Sequence, residues 1–226
     1  MTCLGVVPAR GNSKSIPKKN LAPVCGKPLL WYTLDCAKRA SRIDRLIVST
    51  EDDEIAAVAE AEGVTVERRP DWLCQDDTST LAVLQWHLRQ QDERFDSVLC
   101  LQPTCPLRRP EDIDGAIEFQ QTTGCACIIS VLLVEDEHPA RMYRIGTDGR
   151  LRTLDPDLQQ TRRQDLPRIY RRSGDIYLLS RNAVELGKFF DIYPWVIQRE
   201  RHCNVDGPLD LAWARKRVSM LTGAST

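Results

Sequence analysis

Three observations predict an α/β fold, a mainly parallel sheet with helices on both faces and one inserted arm. Short β-branched runs alternate with longer segments whose apolar residues recur at helical spacing. A loop dense in cations follows the first apolar run, and open sheets of this kind gather ligands at such strand ends. The alternation breaks once, from Glu135 to Arg172, where Arg, Asp, Gln and Pro replace the apolar pattern.

The expected strands cover residues 3–7, 45–49, 64–68, 97–101 and 126–132, with a late one over 175–179. The first expected helix, 28–40, carries Leu30, Leu34 and Ala37 on one face. The second, 53–61, opens on acidic residues that suit the positive end of a helix dipole and stops at Gly63. A Thr/Ser cluster able to cap the third precedes residues 80–91, while the fourth, 110–122, has a proline at its first position and ends before Gly124. The last, 208–221, is amphipathic through Leu209, Ala212 and Val218. Residues 135–172 are too long for an ordinary connection, and Met142, Tyr143, Ile145, Leu151 and Leu154 punctuate them. That pattern suits an ordered lobe covering a site or a subunit partner better than a solvated loop. The chain reads as one domain, 1–226, with 135–172 as its arm.

Charge narrows the choice of partners. Thirty-one Lys and Arg against thirty-two Asp and Glu leave a net charge of −1, so no overall field favours nucleic acid and any anion site is local. No apolar run approaches the roughly 18 residues of a membrane span, and the start MTCLGVVPARG lacks a signal-peptide layout; a soluble, cytoplasmic protein is expected. Nine cysteines without a CxxC pair indicate reduced thiols rather than a disulfide or zinc framework, with Cys125 and Cys127 in or beside a strand. The three histidines, His87, His138 and His202, fall at no metal-motif spacing, and neither a zincin nor a serine-hydrolase reading gains support.

The cation-rich stretch is VVPARGNSKSIPKKN, residues 6–20. Arg10, Lys14, Lys18 and Lys19 supply charge there, and Gly11 and Ser13 offer close backbone approach and donors, which together suit a phosphate chain. Neither the Walker signature nor the three-glycine dinucleotide fingerprint is present. A second loop, LQPTCPLRRPEDI (101–113), leaves another expected strand at the same sheet edge. Gln102 stands there as an amide able to read a hydroxyl or carbonyl, with Arg108 and Arg109 close behind and Pro103 and Pro106 stiffening the turn. Taken alone, each loop also fits a solvated basic turn.

Residues 6–20 and 99–109 do not stand alone. Read with LIVSTEDDEIAAVAEAEGV (46–64), RPDWLCQDDTST (69–80), RRQDLPRIYRRSGDIYLLSR (162–181) and NVDGPLDL (204–211), they span nearly the whole chain. In that order they resemble the acylneuraminate cytidylyltransferase family, the CMP-sialic acid synthetases and their CMP-nonulosonate relatives. The resemblance implies a Rossmann-like nucleotidyltransferase fold. It also implies transfer of CMP from CTP to the anomeric hydroxyl of a 2-keto-3-deoxy sugar acid, with release of pyrophosphate and with Mg²⁺, or Mn²⁺ in its place. Negative charge builds on the α-phosphate and the leaving group in such a reaction, which is why fixed cations and a metal serve it.

Carried over position by position, the resemblance implies that Arg10 and Lys19 bind the triphosphate, with Asn12 and Ser13 as loop donors. It puts Asn20 and Thr80 around the nucleoside and Arg69 beside the base. Gln102 faces the sugar acid, and Arg10, Lys19 and Gln102 form the implied catalytic set. Arg163, Tyr170 and Ser173 belong to the part that closes on the acceptor, Arg163 as a partner for its carboxylate. Asp206 and Asn204 are the implied metal ligands, and the arm implies a homodimer whose arginines serve either their own or the partner's site.

Three positions depart from the family pattern. Ser15 stands where glycine is common, Asn204 replaces the first aspartate of an Asp-x-Asp pair, and Ser173-Gly174-Asp175 replaces Asn-Gly-Ala. These departures imply fewer charges on the metal and an acceptor other than ordinary N-acetylneuraminate. Two alternatives stay open at this level: another acidic acceptor such as a phosphonate or sugar phosphate, and a nucleotide-binding protein without turnover.

Overall fold

The computed structural model describes residues 1–135 and 137–223. In chain order the strands and helices are β1 (Cys3–Pro8), β2 (Pro23–Val24), β3 (Lys27–Pro28), α1 (Leu29–Arg39), β4 (Arg45–Thr50), α2 (Asp53–Ala61), β5 (Thr65–Arg68) and α3 (Thr80–Gln90). They continue as β6 (Ser97–Cys100), α4 (Pro110–Thr123), β7 (Cys127–Leu133), β8 (Tyr143–Ile145), β9 (Leu151–Thr153), β10 (Tyr170–Ser180), α5 (Arg181–Leu186), β11 (Ile192–Val196) and α6 (Pro208–Thr222).

Local chemistry explains the helix boundaries. The Asp52 carboxylate accepts from Ile55 N–H at 2.9 Å, and the Ser79 hydroxyl accepts from Ala82 N–H at 3.1 Å, so α2 and α3 each begin on a side-chain cap. Gly63 and Gly124 follow α2 and α4 at φ of 72° and 70°, the left-handed conformation that ends a helix without a Cβ clash. At α6 the cap is Gly207, whose N–H donates to Asp210 at 2.8 Å. Asp206 is therefore free of capping duty.

Seven strands form one sheet in the order β11-β7-β10-β6-β1-β4-β5. All neighbours run parallel except β10, which is inserted antiparallel between β6 and β7. Alternate residues face opposite layers. Cys3 and Val7 pack with α1, α2 and α4 residues such as Leu34, Ile55 and Ile113, whereas Leu4 and Val6 pack with Leu84 and Leu88 of α3 and Val184 of α5. A third cluster joins Leu211, Ala214 and Val218 of α6 to Ile16, Val24 and Leu29, anchoring the chain around the first loop.

Several expectations shift. Strand β10 is longer than the expected 175–179, and Tyr170, Arg171 and Arg172 pair with Leu133, Leu132 and Val131. The arm expected over 135–172 thus ends sooner, since its last three residues belong to the main sheet; between lie the hairpin β8–β9 and short 3-10 turns, with Asp136 outside the described residues. Strand β11, helix α5 and the hairpin β2–β3 were not expected. No helix among the described residues is long and apolar enough to cross a membrane.

All nine cysteines are unpaired, and only Cys25 and Cys74 are partly exposed. Burial pushes the thiols of Cys36 and Cys100 up to about 12, and burial followed by the Asp44 charge does the same for Cys3. A disulfide reagent at pH 8 is expected to titrate no more than two thiols rapidly in the native protein, and all nine once urea unfolds it. Rapid reaction of a third thiol would contradict this packing.

Candidate active site

Strand β1 and strand β4 lie side by side, so the chain leaves both at one edge of the sheet. The first loop is tied there by its backbone: Ala9 N–H donates to Ser49 O at 2.9 Å and Gly11 N–H to the Glu51 carboxylate at 2.7 Å. Asn20, nearly buried, donates to Arg10 O at 2.9 Å and closes the loop on itself. Arg10 and Lys14 converge on Asp76, each at 2.8 Å. These pairs leave the Asp76 carboxyl below its ordinary range, through its bond to Lys14 first and then that to Arg10.

Lys19 reaches the other way. Its ammonium donates to Val205 O at 2.9 Å and lies 3.6 Å from the Asp206 carboxylate, which brings the segment before α6 over the loop. A bond from Val205 N–H to Thr104 O, 2.9 Å, ties the same segment to the loop after β6. The result is a cavity of about 300 Å³. Its floor is the first loop, with Arg10, Asn12, Ser13, Lys19 and Asn20; Arg69, Thr80, Gln102 and Asp206 enter from four other segments. Nine positions named from sequence therefore meet in one place.

Arg69 is almost wholly buried in this wall. Its Nη2 donates to Ser49 O at 2.7 Å, and burial, opposed by the Glu51 charge, lowers its pKa from the usual arginine range. Behind it, His87 lies between the Ser49 hydroxyl at 2.6 Å and the Glu67 carboxylate at 2.7 Å. The array has the order of a nucleophile, a base and an orienting acid, yet Ser49 and His87 are completely sealed from solvent. It works as a buried brace for β4, not as a hydrolytic centre.

A second cavity, about 410 Å³, shares Thr80 and Gln102 with the first. Leu81, Leu84, Tyr177, Leu179 and Phe189 make it mostly apolar, and Arg172 is its cation, with the guanidinium 5.5 Å from the Phe189 ring centroid. Gly174, at φ 86°, lies against Gln102, which borders both cavities: a Cβ there would sit 3.2 Å from the Gln102 side-chain oxygen.

Four named positions lie elsewhere. Arg163 lines a separate cavity beside His138 and Pro167. Tyr170 is exposed at the far end of β10 and lines neither of the two joined cavities. Ser173 is buried, donates to the Ser130 hydroxyl at 2.8 Å, braces β10 against β7 and lines neither joined cavity. Asn204 lines neither joined cavity; its amide nitrogen donates to Asp206 at 2.6 Å and its amide oxygen faces the Cys105 thiol at 3.8 Å. Asp175, the third residue of the departing Ser-Gly-Asp, is buried against His202 at 2.9 Å and faces inward as well.

Comparison with known proteins supplies the chemistry. A family model described as cytidylyltransferase matches residues 4–205. The chain belongs to the cytidylyltransferase family. It is 32% identical over 235 residues to CMP-N,N'-diacetyllegionaminic acid synthase of Legionella pneumophila, covering 97% of each chain. With pseudaminic acid cytidylyltransferase of Campylobacter jejuni it shares 31% over 225 residues, 95% of each. With N-acylneuraminate cytidylyltransferase of Oncorhynchus mykiss it shares 30%, over 93% of this chain and 49% of the fish protein. The structure of CMP:2-keto-3-deoxy-manno-octonic acid synthetase complexed with CTP superposes at a TM-score of 0.76 and 17% identity, covering 98% of this chain and 100% of that one. That likeness confirms the Rossmann-like nucleotidyltransferase fold.

As a member of its family the protein is a CTP-dependent nucleotidyltransferase. Two of its arginines gain weight from the structure. Arg108 is buried and donates to Asp175 O at 2.6 Å, Thr33 Oγ1 at 3.1 Å and Gln102 O at 2.7 Å, fixing the backbone that presents Gln102. Arg172, not singled out from the sequence, is the cation of the second cavity. Gly11 matters for space. A Cβ there would stand 2.4 Å from Asp52 Oδ2 and 2.8 Å from Asp52 Cβ, and Asp52 cannot swing away without uncapping α2. In this cytidylyltransferase Gly11→Ala is expected to weaken CTP binding about tenfold or more by calorimetric titration, since overpacking of this kind costs about 1–3 kcal/mol. Unchanged CTP affinity would mean that the loop does not hold the nucleotide.

Proposed function

We propose that the protein transfers CMP from CTP to the anomeric hydroxyl of a nonulosonic acid, with the triphosphate and cytidine in the cavity of Arg10, Lys19 and Arg69 and the sugar acid in the cavity of Arg172. The observation that carries this reading is the junction itself: Thr80 and Gln102 border both cavities, so two substrates seated in them meet there. The acceptor hydroxyl gives up its proton to solvent and its oxygen attacks the α-phosphorus; the new P–O bond forms as the bond from the α-phosphorus to the α–β bridging oxygen breaks, and pyrophosphate leaves. Arg10, with Asn12 and Ser13, would hold the leaving phosphates, and Lys19 would stand where charge grows on the reacting one. Asn20 and Thr80 would position the nucleoside, and Gln102 the acceptor.

The second cavity suits such an acid in kind. A carboxylate pairs with Arg172, while Leu81, Leu84, Tyr177 and Phe189 favour acyl and deoxy carbons over a fully hydroxylated sugar. The named relatives act on legionaminic, pseudaminic and N-acylneuraminic acids, and the first two names supply the acceptors to try first.

Asp206 fits a Mg²⁺ ion, or Mn²⁺, that arrives with the triphosphate rather than a ready-made centre, whereas Asn204 turns its amide nitrogen to Asp206 and its oxygen to the Cys105 thiol, so it would orient that carboxylate instead of binding the ion. Among the described residues no three His, Cys, Asp or Glu groups cluster. Asp206 offers one exposed carboxylate, already balanced by Lys19 and by the Asn204 amide. Such an ion would neutralise phosphate charge.

The arm would mediate a homodimer: Tyr143, Ile145, Leu151 and Leu154 leave apolar surface exposed on it, and from there Arg163 would serve the partner's acceptor. We read the chain as a single cytoplasmic domain, 1–226, that engages neither nucleic acid nor membrane. The deciding assay is pyrophosphate release with CTP, Mg²⁺ and a panel of nonulosonic acids. Release that depends on one of these acids is expected; CTP binding with silence across the panel, but release with a phosphonate or sugar phosphate, would overturn the acceptor class.

A further inference from the structure

We propose that Glu51 is a positioning residue that couples the nucleoside end of the first cavity to its phosphate loop, so that seating the base tightens the loop on the triphosphate. The inference rests on the reading of that cavity as the CTP site. One carboxylate spans the two ends. Its Oε1 accepts the Gly11 N–H at 2.7 Å, and its Oε2 faces Arg69 Nε at 3.8 Å. Both Glu51 Oε2 and Arg69 Nε are buried and neither makes a hydrogen bond of ordinary geometry; the other group facing the carboxylate is the Cys74 thiol, which burial and then the Glu51 charge push up to about 11. Burying two such atoms without a bond is costly, and a closure of about 1 Å would give a charge-assisted hydrogen bond between them.

The surroundings decide which side moves. Arg69 is already held at 2.7 Å by the Ser49 carbonyl, which also takes the Ala9 N–H. Ser49 in turn is pinned through its hydroxyl by the sealed His87 and Glu67. That wall has no slack. A pyrimidine resting on Arg69 shuts the guanidinium off from water and so strengthens its pull across the one gap left to close, the one toward Glu51. Closing it draws on the carboxylate that holds Gly11, one residue from Arg10. Base occupancy is thereby felt at the phosphate-binding end, and a wrong base costs turnover as well as affinity.

The test separates the two halves of CTP. Calorimetry in Mg²⁺ buffer gives the affinity for inorganic tripolyphosphate with and without saturating cytidine, and the ratio is the coupling. Wild type is expected to show a ratio of about 5 or more, at the low end of ordinary coupling between sites. Glu51→Gln keeps an amide oxygen for Gly11 N–H but removes the charge that faces Arg69, and its ratio is expected to fall to about 1. Arg69→Lys, which keeps the charge and lacks the Nε donor, is expected to lose the ratio too and serves if the first variant does not fold. Independent binding of the two fragments to wild type, or a ratio preserved in the folded variants, overturns the coupling. Failure of wild type to bind CTP at all would instead overturn the nucleotide reading beneath it.

Discussion

Lys19→Ala is expected to lower kcat about 100- to 1,000-fold, the usual loss when one fixed donor to a developing oxyanion is removed. The Lys19 side chain is only 16% exposed and its ammonium is held by Val205 O and near Asp206, so it is aimed before substrate arrives. Preorganisation is what makes the effect large: a lysine that had to be gathered from solvent would give back much of its gain in ordering. Lys19→Arg should recover part of the rate, since the charge remains and the geometry does not. Pyrophosphate release in single-turnover mode checks this. A variant with reduced CTP affinity but normal kcat would assign Lys19 to ground-state binding alone.

Arg172→Ala is expected to raise the acceptor's KM about 10- to 100-fold while moving that of CTP by less than threefold, because a hydrogen bond to a charged partner contributes about 1.5–3 kcal/mol. The selectivity follows from position: Arg172 lines the second cavity and not the first. Arg163→Ala is the informative companion. In the single chain Arg163 stands in a different cavity, so an acceptor effect from that variant would have to arise across a subunit boundary, and mixing Arg163→Ala with Arg172→Ala protomers would restore some activity. Equal acceptor KM in wild type and Arg172→Ala would remove the carboxylate from the second cavity.

Much of this architecture is written locally in the chain. The helices declare themselves through Asp52, Ser79 and Pro110 at their starts and Gly63 and Gly124 at their ends, features that act over one turn and need no tertiary context. The first loop is likewise legible, since neighbours in sequence are neighbours around an anion. Strand β10 is not. Tyr170, Arg171 and Arg172 are exposed, and their pairing with β7 is made by backbone groups that leave no mark on side-chain choice. Strand β11 carries Pro194, which argues against a strand except at an edge, and an edge is where it lies. Helix α5, six residues long, is too short to display a period. Arg172 could not be placed at the second cavity because its location depends on the antiparallel insertion of β10 between β6 and β7, a pairing between distant parts of the chain.

That inserted strand has a mechanical consequence. A single run of backbone, Tyr170–Ser180, begins where the arm rejoins the sheet, carries Arg172 at the second cavity and Gly174 beside Gln102, and ends against β6. Its register with β7 slips between Arg172 and Tyr177, so the stretch bordering the second cavity is also where the rod is jointed. A load applied at the arm reaches the wall of that cavity through a lever only two or three residues long. Whatever grips the arm thus has a handle on the second cavity.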